Sequence, residues 1–191
     1  MYDVLIIGAG PGGIFSAYEL IRQNPQLKVG VFEAGHELNR RKCPIDGKKI
    51  KTCIGCKSCS IMSGFGGAGA FSDGKYNITN DFGGTLYEYI GKKNALELMH
   101  YVDEINMAFG GKGTKLYTTA GSRIKKMCLQ NDLHLLDASV RHLGTDINYV
   151  VLENLYAFLK DKVDFFFDTP VETVRVTEDG YELSAGGKTY S

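Results

Sequence analysis

Residues 4–13 read VLIIGAGPGG, an apolar run that leads straight into a glycine-rich turn. The turn places Gly8, Gly10 and Gly13 at the first, third and sixth positions of a G-x-G-x-x-G pattern. In such a turn the first glycine permits a sharp change of direction, the second leaves the backbone bare, and the third lets a helix pack against a strand. The stretch therefore predicts a strand, a tight turn and the start of a helix.

The sequence that follows completes a strand–helix–strand unit. Residues 14–21 have helical spacing, and Asn24 with Pro25 ends the helix. Residues 27–32 read as a second strand, and Glu33 follows it, twenty residues after Gly13. A helix start of this kind offers unpaired N–H groups to a pyrophosphate, and an acid at this position accepts hydrogen bonds from a ribose diol. The residues expected at this dinucleotide site are Gly8, Gly10, Pro11, Gly12, Gly13, Glu33 and Ala34.

The composition is that of an ordinary globular chain. It has 191 residues, of which 43% are hydrophobic, and its 22 basic residues balance 22 acidic ones. Nucleic-acid-binding chains usually carry a basic excess, so no nucleic acid is expected. No apolar run approaches the ~20 residues that span a membrane, and the N-terminus lacks the basic start of a signal peptide. We expect a cytoplasmic protein with a small-molecule substrate or redox partner and no membrane association.

Residues 40–57 combine basic side chains with cysteines and have no helical or strand period, so they are predicted to form a loop. Asp46 is the one acidic residue in this stretch. The basic residues are Arg40, Arg41, Lys42, Lys48, Lys49, Lys51 and Lys57. The grouped cysteines are Cys43, Cys53, Cys56 and Cys59. In a cytoplasmic protein such cysteines are more often metal ligands or redox groups than disulfides.

The next stretch, residues 60–75, reads SIMSGFGGAGAFSDGK and contains five glycines. A backbone this bare can lie against a flat ligand or supply N–H groups to one. The large apolar residues among the glycines argue against a flexible linker.

The rest of the chain predicts a mixed segment and then a return to the first domain. Helices are predicted at residues 86–90, 95–109, 123–130 and 146–160, the last two capped by Ser122 and Thr145. An extended or strand conformation is predicted at residues 116–118, 133–141 and 163–167. Three further strands, at residues 171–177, 181–184 and 188–191, are predicted to form a β-meander. The predicted domain ranges are 1–84 for the first part of a Rossmann-like domain, 85–160 for an inserted α+β segment, and 161–191 for the return strand and meander.

Several stretches together resemble one protein family. Residues 3–13 and 31–33 are similar to the N-terminal signature of the two-dinucleotide-binding-domain flavoproteins. Residues 41–44 (RKCP), 53–75 and 140–146 (VRHLGTD) resemble, within that superfamily, the uncharacterised bacterial FAD-dependent dehydrogenases. The resemblance covers the chain from end to end. It implies an α/β fold with a Rossmann-like FAD-binding domain built from a βαβ start, a parallel sheet and a β-meander, with an inserted mixed segment.

The resemblance also implies a function. FAD is expected in the first nucleotide site, with Glu33 on the adenosine ribose, in an oxidoreductase that passes hydride or electrons through the flavin. Residues 64–75 are expected to run past the pyrophosphate and the isoalloxazine ring. The further cofactor contacts expected are Gly66, Gly67, Ala68 and, from position alone, Arg40 or Arg41.

Proteins of this group are longer than this chain, so the chain is expected to be an N-terminal portion. A closing strand, a second glycine motif and any NAD(P)H site would lie in the remainder. An exposed sheet edge with apolar surface, and self-association through it, would follow.

The cysteines allow four interpretations. The spacing Cys53-x-x-Cys56-x-x-Cys59, with Cys43 before a proline, resembles the ligation of a 4Fe–4S cluster. Four cysteines also suit structural zinc. A thiol–disulfide pair facing the flavin, in basic surroundings that lower a thiol pKa, is the third reading, and unligated thiols are the fourth.

Arg141 and His142 are the candidate catalytic residues. They precede a Gly-Thr-Asp turn, where Arg141 could bind an anionic substrate and His142 could move a proton near neutral pH. The alternative is a structural role for both. Two other functions stay open: a nucleotide-binding or RNA-modification accessory protein without catalysis, and an electron-transfer module with a cysteine-ligated metal centre.

Overall fold

The computed structural model describes all 191 residues, which form two compact units. Unit 1 comprises Met1–Phe71 and Leu152–Ser191, and unit 2 comprises Ser72–Val151. The strands are β1 (Val4–Ile7), β2 (Val29–Phe32), β3 (Lys75–Ile78), β4 (Leu116–Thr118), β5 (Ser139–His142), β6 (Asp164–Phe166), β7 (Val171–Thr177), β8 (Gly180–Ala185) and β9 (Lys188–Tyr190). The helices are α1 (Pro11–Gln23), α2 (Leu86–Ile90), α3 (Lys92–Asn106), α4 (Arg123–Gln130) and α5 (Gly144–Leu159).

Unit 1 is built on a parallel sheet with the strand order β1-β2-β6. Every residue of β2 is buried, as expected of a central strand covered on both faces. Helix α1 buries Ile14, Ala17 and Ile21, which share one face because they are three or four residues apart. The predicted strand–helix–strand start and the parallel sheet are confirmed.

The meander β7-β8-β9 is antiparallel and follows the predicted order. It packs on the parallel sheet through Leu183 and Ala185, which form a buried cluster with Phe32 of β2. The Phe32 ring stacks on Phe166 at 4.6 Å and meets the edge of Tyr190 at 4.7 Å. These apolar contacts bring the last residues of the chain back to its first strands.

Strand β1 is an edge of its sheet, because β2 is its one neighbour. Ile7 at its end is 58% exposed. A groove of about 740 Å³ runs along this edge and is lined also by Val174 and Tyr181 of the meander. The expected exposed edge with apolar surface is therefore present.

Unit 2 contains a second sheet, antiparallel with the order β3-β5-β4. Strand β3 is not among the predicted strands, because its alternation of polar and apolar residues (KYNI) spans only four residues directly after the glycine-rich segment. Helix α3 ends at Asn106 and continues as a wider π-helical turn over Met107–Gly111, where one helix to residue 109 was predicted.

Two predicted caps had different outcomes. Ser122 caps α4, since its hydroxyl accepts a hydrogen bond from the Lys125 N–H at 3.2 Å. Thr145 was wrongly expected as the cap of α5: that helix begins at Gly144, and the Thr145 hydroxyl donates to the Ser72 carbonyl at 3.0 Å. The extended stretch predicted at 133–141 is a strand only within β5.

The unit boundaries differ in position from the predicted divisions. The structure groups residues 72–84 with unit 2 and residues 152–160 with unit 1, whereas the sequence placed the divisions at residues 84 and 160. No helix has the length and apolar character needed to cross a membrane.

Candidate functional site

The glycine turn joins β1 to α1 at the carboxyl end of the parallel sheet. Gly8 has a φ of +95°, and its N–H donates to the Phe32 carbonyl at 2.7 Å. Gly10 precedes the helix in an extended conformation (φ −74°, ψ −178°) and supplies no side-chain cap. Pro11 has no N–H, and no acidic residue lies in the first turn of α1. The start of α1 therefore presents N–H groups that lack intrahelical acceptors.

The glycines of the turn differ in how much space the fold leaves for a side chain. A Cβ on Gly13 would lie 1.9 Å from the Gly8 carbonyl oxygen, so the helix could not pack against the turn. A Cβ on Gly10 would meet nothing closer than the Gly67 Cα at 4.0 Å, and one on Gly12 would meet nothing within 4 Å. Gly13 is required by the fold, whereas the fold itself leaves space at Gly10 and Gly12.

Glu33 is 7% exposed, and its carboxylate accepts three backbone hydrogen bonds. Oε2 accepts from Ala9 at 2.7 Å, and Oε1 accepts from Gly35 at 2.8 Å and from Gly64 at 2.9 Å. The carboxylate thus joins the glycine turn, the end of β2 and the glycine-rich segment. The exposed neighbour Ala34 lies beside it.

The glycine-rich segment lies directly against the turn. The Gly66 N–H donates to the Ala9 carbonyl at 2.8 Å. Gly67 has a φ of +60°, and a Cβ there would lie 3.2 Å from the Gly10 Cα. A short 3₁₀ helix, Gly67–Phe71, starts at this point, with Ala68 exposed. The structure therefore brings the two predicted glycine motifs together in one place.

The Arg41 side chain is buried, with 4% of its surface exposed, and its hydrogen-bond partners lie within the protein. Its guanidinium donates to the carbonyls of Ser60 at 2.9 Å, Ile61 at 2.9 Å and Phe65 at 2.6 Å. It also lies over the Phe71 ring at 4.9 Å. Burial lowers the pKa of Arg41, although the nearby Glu33 carboxylate acts in the opposite direction. Its predicted contact with a cofactor stays a prediction.

A turn after β6, which the sequence analysis missed, closes the same edge of the sheet. The Asp168 N–H donates to the Gly35 carbonyl at 3.0 Å, and the Thr169 N–H donates to the Glu33 carbonyl at 2.9 Å. The Asp168 carboxylate contacts His36 Nδ1 and accepts from Arg40 at 3.1 Å. The turn residues Asp168-Thr169-Pro170 directly follow a predicted strand, and the carboxyl ends of parallel strands meet at one edge of the sheet. This pattern in the sequence could have placed Asp168 near Glu33.

The structure does not bring the four grouped cysteines together around one point. Cys43, Cys53 and Cys56 are exposed free thiols, and Cys59 is a half-buried one. No group of three or more His, Cys, Asp or Glu side chains in the structure is arranged to hold a metal ion. The ligation of an iron–sulfur cluster or zinc by these cysteines stays a prediction that the arrangement of the thiols does not support.

Arg141 and His142 lie on opposite faces of the second sheet, because successive residues of a strand alternate. Arg141 forms a bidentate pair with Asp103, with both N–O distances 2.7 Å, and donates to the Thr114 carbonyl at 2.7 Å. His142 is exposed and pairs across the strands with Lys75. The structure does not bring the two predicted catalytic side chains together.

The comparisons with known proteins concern the fold. Neither a protein-family model nor a curated protein matches the chain. Glycine oxidase from Geobacillus kaustophilus has a similar structure, with a TM-score of 0.52, 16% identity, and coverage of 100% of this chain and 53% of that one. This likeness shows a shared fold, and this chain spans about half the length of that oxidase.

Two further structures are weaker matches and add nothing to that conclusion. NikD, an unusual amino acid oxidase essential for nikkomycin biosynthesis, has a TM-score of 0.48 at 11% identity, covering 99% of this chain and 49% of its own. The pqsL protein of Pseudomonas aeruginosa, assigned as an FAD-dependent monooxygenase, has a TM-score of 0.45 at 15% identity, covering 98% and 39%. The prediction of a Rossmann-like α/β fold is confirmed.

Proposed function

We propose that this chain is the FAD-binding portion of an FAD-dependent oxidoreductase and holds the adenosine and pyrophosphate groups of the cofactor. The observation that carries the proposal is the uncapped start of α1 beside the Glu33 carboxylate, with Gly66 and Gly67 lying against the turn. Each part of this arrangement suits one part of a dinucleotide.

The start of α1 suits a pyrophosphate. The helix leaves the N–H groups of Gly12 and Gly13 without intrahelical acceptors, and its dipole is positive at this end. No side chain caps the helix and no acidic residue lies in its first turn, so no residue of α1 competes with an anion for these N–H groups. A Cβ-free backbone at Gly10 allows close approach, as dinucleotide turns require.

Glu33 suits a ribose hydroxyl, with one acceptor position to spare. A carboxylate offers about four lone-pair positions. Backbone N–H groups take two positions on Oε1 and one on Oε2. The remaining position on Oε2 can accept one hydroxyl proton, so we expect one strong hydrogen bond from the ribose diol rather than two.

When bound, FAD supplies the redox chemistry, and the residues of this chain bind and orient it. The likeness of residues 41–44 and 53–75 to bacterial dehydrogenases supports the finer proposal of a dehydrogenase that takes hydride from NADH or NADPH. No metal-binding arrangement of side chains supports a metal centre, so no step of the proposal passes through one.

The test is to purify the full-length protein and record its visible spectrum, then release and identify the flavin. We expect a yellow protein with FAD, bleached by NADH or NADPH if the dehydrogenase proposal is right. A colourless protein that takes up no FAD on reconstitution would contradict the proposal.

Gly10→Ala sharpens this test. The methyl group meets no protein atom closer than 4.0 Å, so the fold should accept it, but it occupies the surface that a pyrophosphate must approach. We expect unchanged unfolding of the apoprotein and an FAD dissociation constant raised about tenfold or more, or ~1.4 kcal/mol of binding free energy. Unchanged FAD affinity would show that the turn does not hold the cofactor.

A further inference from the structure

The segment from Lys42 to Cys59, here called the basic loop, is the most exposed part of unit 1. All residues from 42 to 57 are exposed except Ile50, which is half-buried. The segment contains neither helix nor strand. The proposed flavin site uses none of it, yet its conformation is held at two points.

The first point is the base of the basic loop. Arg41 precedes the loop, and the carbonyls of Ser60 and Ile61 follow it. The buried guanidinium donates to both carbonyls at 2.9 Å and so closes the loop at its ends. Closing the ends reduces the conformations available to the residues between them.

The second point is an internal turn centred on Asp46. Its Oδ1 accepts N–H donors from Lys48 at 2.8 Å, Lys49 at 2.8 Å and Ile50 at 2.9 Å. These backbone hydrogen bonds, with the one from Ile50 the strongest contribution, lower the pKa of Asp46. The acidic side chain is therefore directed to the backbone, and the adjacent lysines are held in a defined arrangement.

The charged residues of the basic loop are almost all positive. Five lysines and one aspartate give it a formal charge of +4, while the whole chain is neutral, so the rest of the chain carries −4. The lysines are Lys42, Lys48, Lys49, Lys51 and Lys57. All five are exposed and none of them takes part in an ion pair within the chain. Ile45 and Ile54, which are 42% and 59% exposed, lie among them.

We propose that the basic loop is a docking surface for the acidic face of a partner protein, of the class of small electron-transfer proteins. Opposite charges steer association, and exposed apolar side chains among the charges add contact area. A loop that is already held in place loses less conformational entropy on binding. The choice of an electron-transfer protein rests on the proposed oxidoreductase function, whereas docking of an acidic protein does not.

The composition of the basic loop argues against nucleic acid. Proteins that bind single strands stack bases on aromatic side chains, and residues 42–59 contain no aromatic residue. A folded acidic protein needs no such platform, because its carboxylates pair with the lysines directly.

The test uses the full-length protein, under reducing conditions, and two acidic probes: a 2Fe–2S ferredoxin and a flavodoxin. Cytochrome c, a basic redox protein, is the probe of opposite charge. Binding is measured by titration calorimetry or surface plasmon resonance at low and high salt. We expect at least one acidic probe to bind, with affinity falling as salt rises, and cytochrome c not to bind.

Charge reversal of Lys48→Glu, Lys49→Glu and Lys51→Glu together should weaken binding about tenfold or more at low salt, since each exposed pair contributes modestly. The matched control reverses three exposed lysines elsewhere, Lys112→Glu, Lys126→Glu and Lys188→Glu, with the same change in net charge. The control should bind at nearly the original affinity. Asp46→Asn adds one unit of positive charge while keeping an acceptor oxygen, and should tighten binding.

Equal losses in the two triple variants would show that net charge, and not this loop, attracts the partner, and would overturn the proposal. So would the failure of both acidic probes to bind, or binding of a single-stranded RNA or anionic vesicles in place of the acidic proteins. The flavin content of each variant is measured in parallel. A protein that docks an acidic probe but takes up no FAD on reconstitution would refute the proposed function and leave the docking of an acidic protein standing. A protein that holds FAD but binds neither acidic probe would refute the docking surface and leave the proposed function standing.

Discussion

Glu33 Oε2 accepts a hydrogen bond from the Ala9 N–H at 2.7 Å, so the acid at the end of β2 is bonded to the turn that follows β1. Its other oxygen binds the N–H groups of Gly35 and Gly64. The carboxylate that is proposed to hold a ribose therefore also holds three backbone segments in place. Changes at this residue should affect stability as well as cofactor binding.

Glu33→Gln should destabilise the apoprotein by about 2–3 kcal/mol. The amide replaces one acceptor oxygen with an NH₂ donor that faces backbone N–H groups, and hydrogen bonds to a charged acceptor are worth ~1.5–3 kcal/mol. Urea unfolding of the apoprotein measures the loss. The control is Glu19→Gln, whose pair with the half-exposed Arg22 is a surface pair and should cost under about 0.5 kcal/mol. Weaker FAD binding at unchanged stability would refute the structural role of Glu33.

Gly13→Ala should destabilise the protein where Gly10→Ala does not. The added Cβ lies 1.9 Å from the Gly8 oxygen, so the turn or α1 must move, at a cost of about 1–3 kcal/mol or more. Thermal unfolding of both apoprotein variants, side by side, measures the difference. Equal stability of the two variants would contradict the geometry of the turn.

Arg41→Lys should loosen the base of the basic loop. A lysine ammonium cannot reproduce the planar set of donors that binds the Ser60, Ile61 and Phe65 carbonyls. Faster hydrogen exchange in residues 42–65 and a loss of about 2 kcal/mol or more in unfolding free energy are expected. The neighbouring Arg40→Lys is the control, because Arg40 is 60% exposed and forms one pair with Asp168. Similar exchange in both variants would argue against closure by Arg41.

Asp103→Leu should lower the free energy of unfolding by about 3–5 kcal/mol, because it leaves the buried Arg141 charge without its carboxylate partner. The two side chains are only 10% and 12% exposed. The hydrogen bonds that Arg141 donates to the Asp103 carboxylate raise the pKa of Arg141, so Arg141 keeps its charge at any accessible pH. The double variant Asp103→Leu/Arg141→Met should recover much of the loss in a double-mutant cycle. Additive losses would mean that the pair does not interact as observed.

Tyr156 should make stability fall at alkaline pH. Burial, and then its hydrogen bond to Glu37, raises the pKa of Tyr156 from 10.0 to about 12. The folded state thus keeps a proton that the unfolded state loses, so this contribution is complete below pH 10 and disappears as the pH rises towards 12. The stability difference between the original protein and Tyr156→Phe should shrink over that interval. Tyr89→Phe, at an 83% exposed position, should show no such change.

Part of the site could be predicted because its residues are close in sequence. The strand, turn and helix of residues 4–23 depend on short-range patterns of apolar residues and glycines, and the position of Glu33 follows from the end of β2. The meander was predicted for the same reason, since Gly180 and the Gly186-Gly187 pair mark its turns. Each of these features is decided within a few residues of chain.

The sequence suggests Arg141 and His142 as a catalytic pair because they are adjacent, and their catalytic role stays a prediction. In β5 the adjacent residues Arg141 and His142 face opposite sides of the sheet, and the Arg141 side chain pairs with Asp103 of α3. The unpaired cysteines show a related limit. Their spacing resembles that of metal ligands, but ligation requires the thiols to converge, and the loop that carries them does not bring them together.

The sequence by itself determined that β1, α1 and β2 form a strand–helix–strand unit, with glycines at the turn and an acid after the second strand. Only the tertiary structure decided what those groups bind. Glu33 meets Gly64, Arg41 meets Phe65, and Arg40 meets Asp168, across 31, 24 and 128 residues of chain. The physical reason is that a local pattern fixes backbone conformation, whereas the partner of a buried charge depends on which distant segments the packing of the core brings to it.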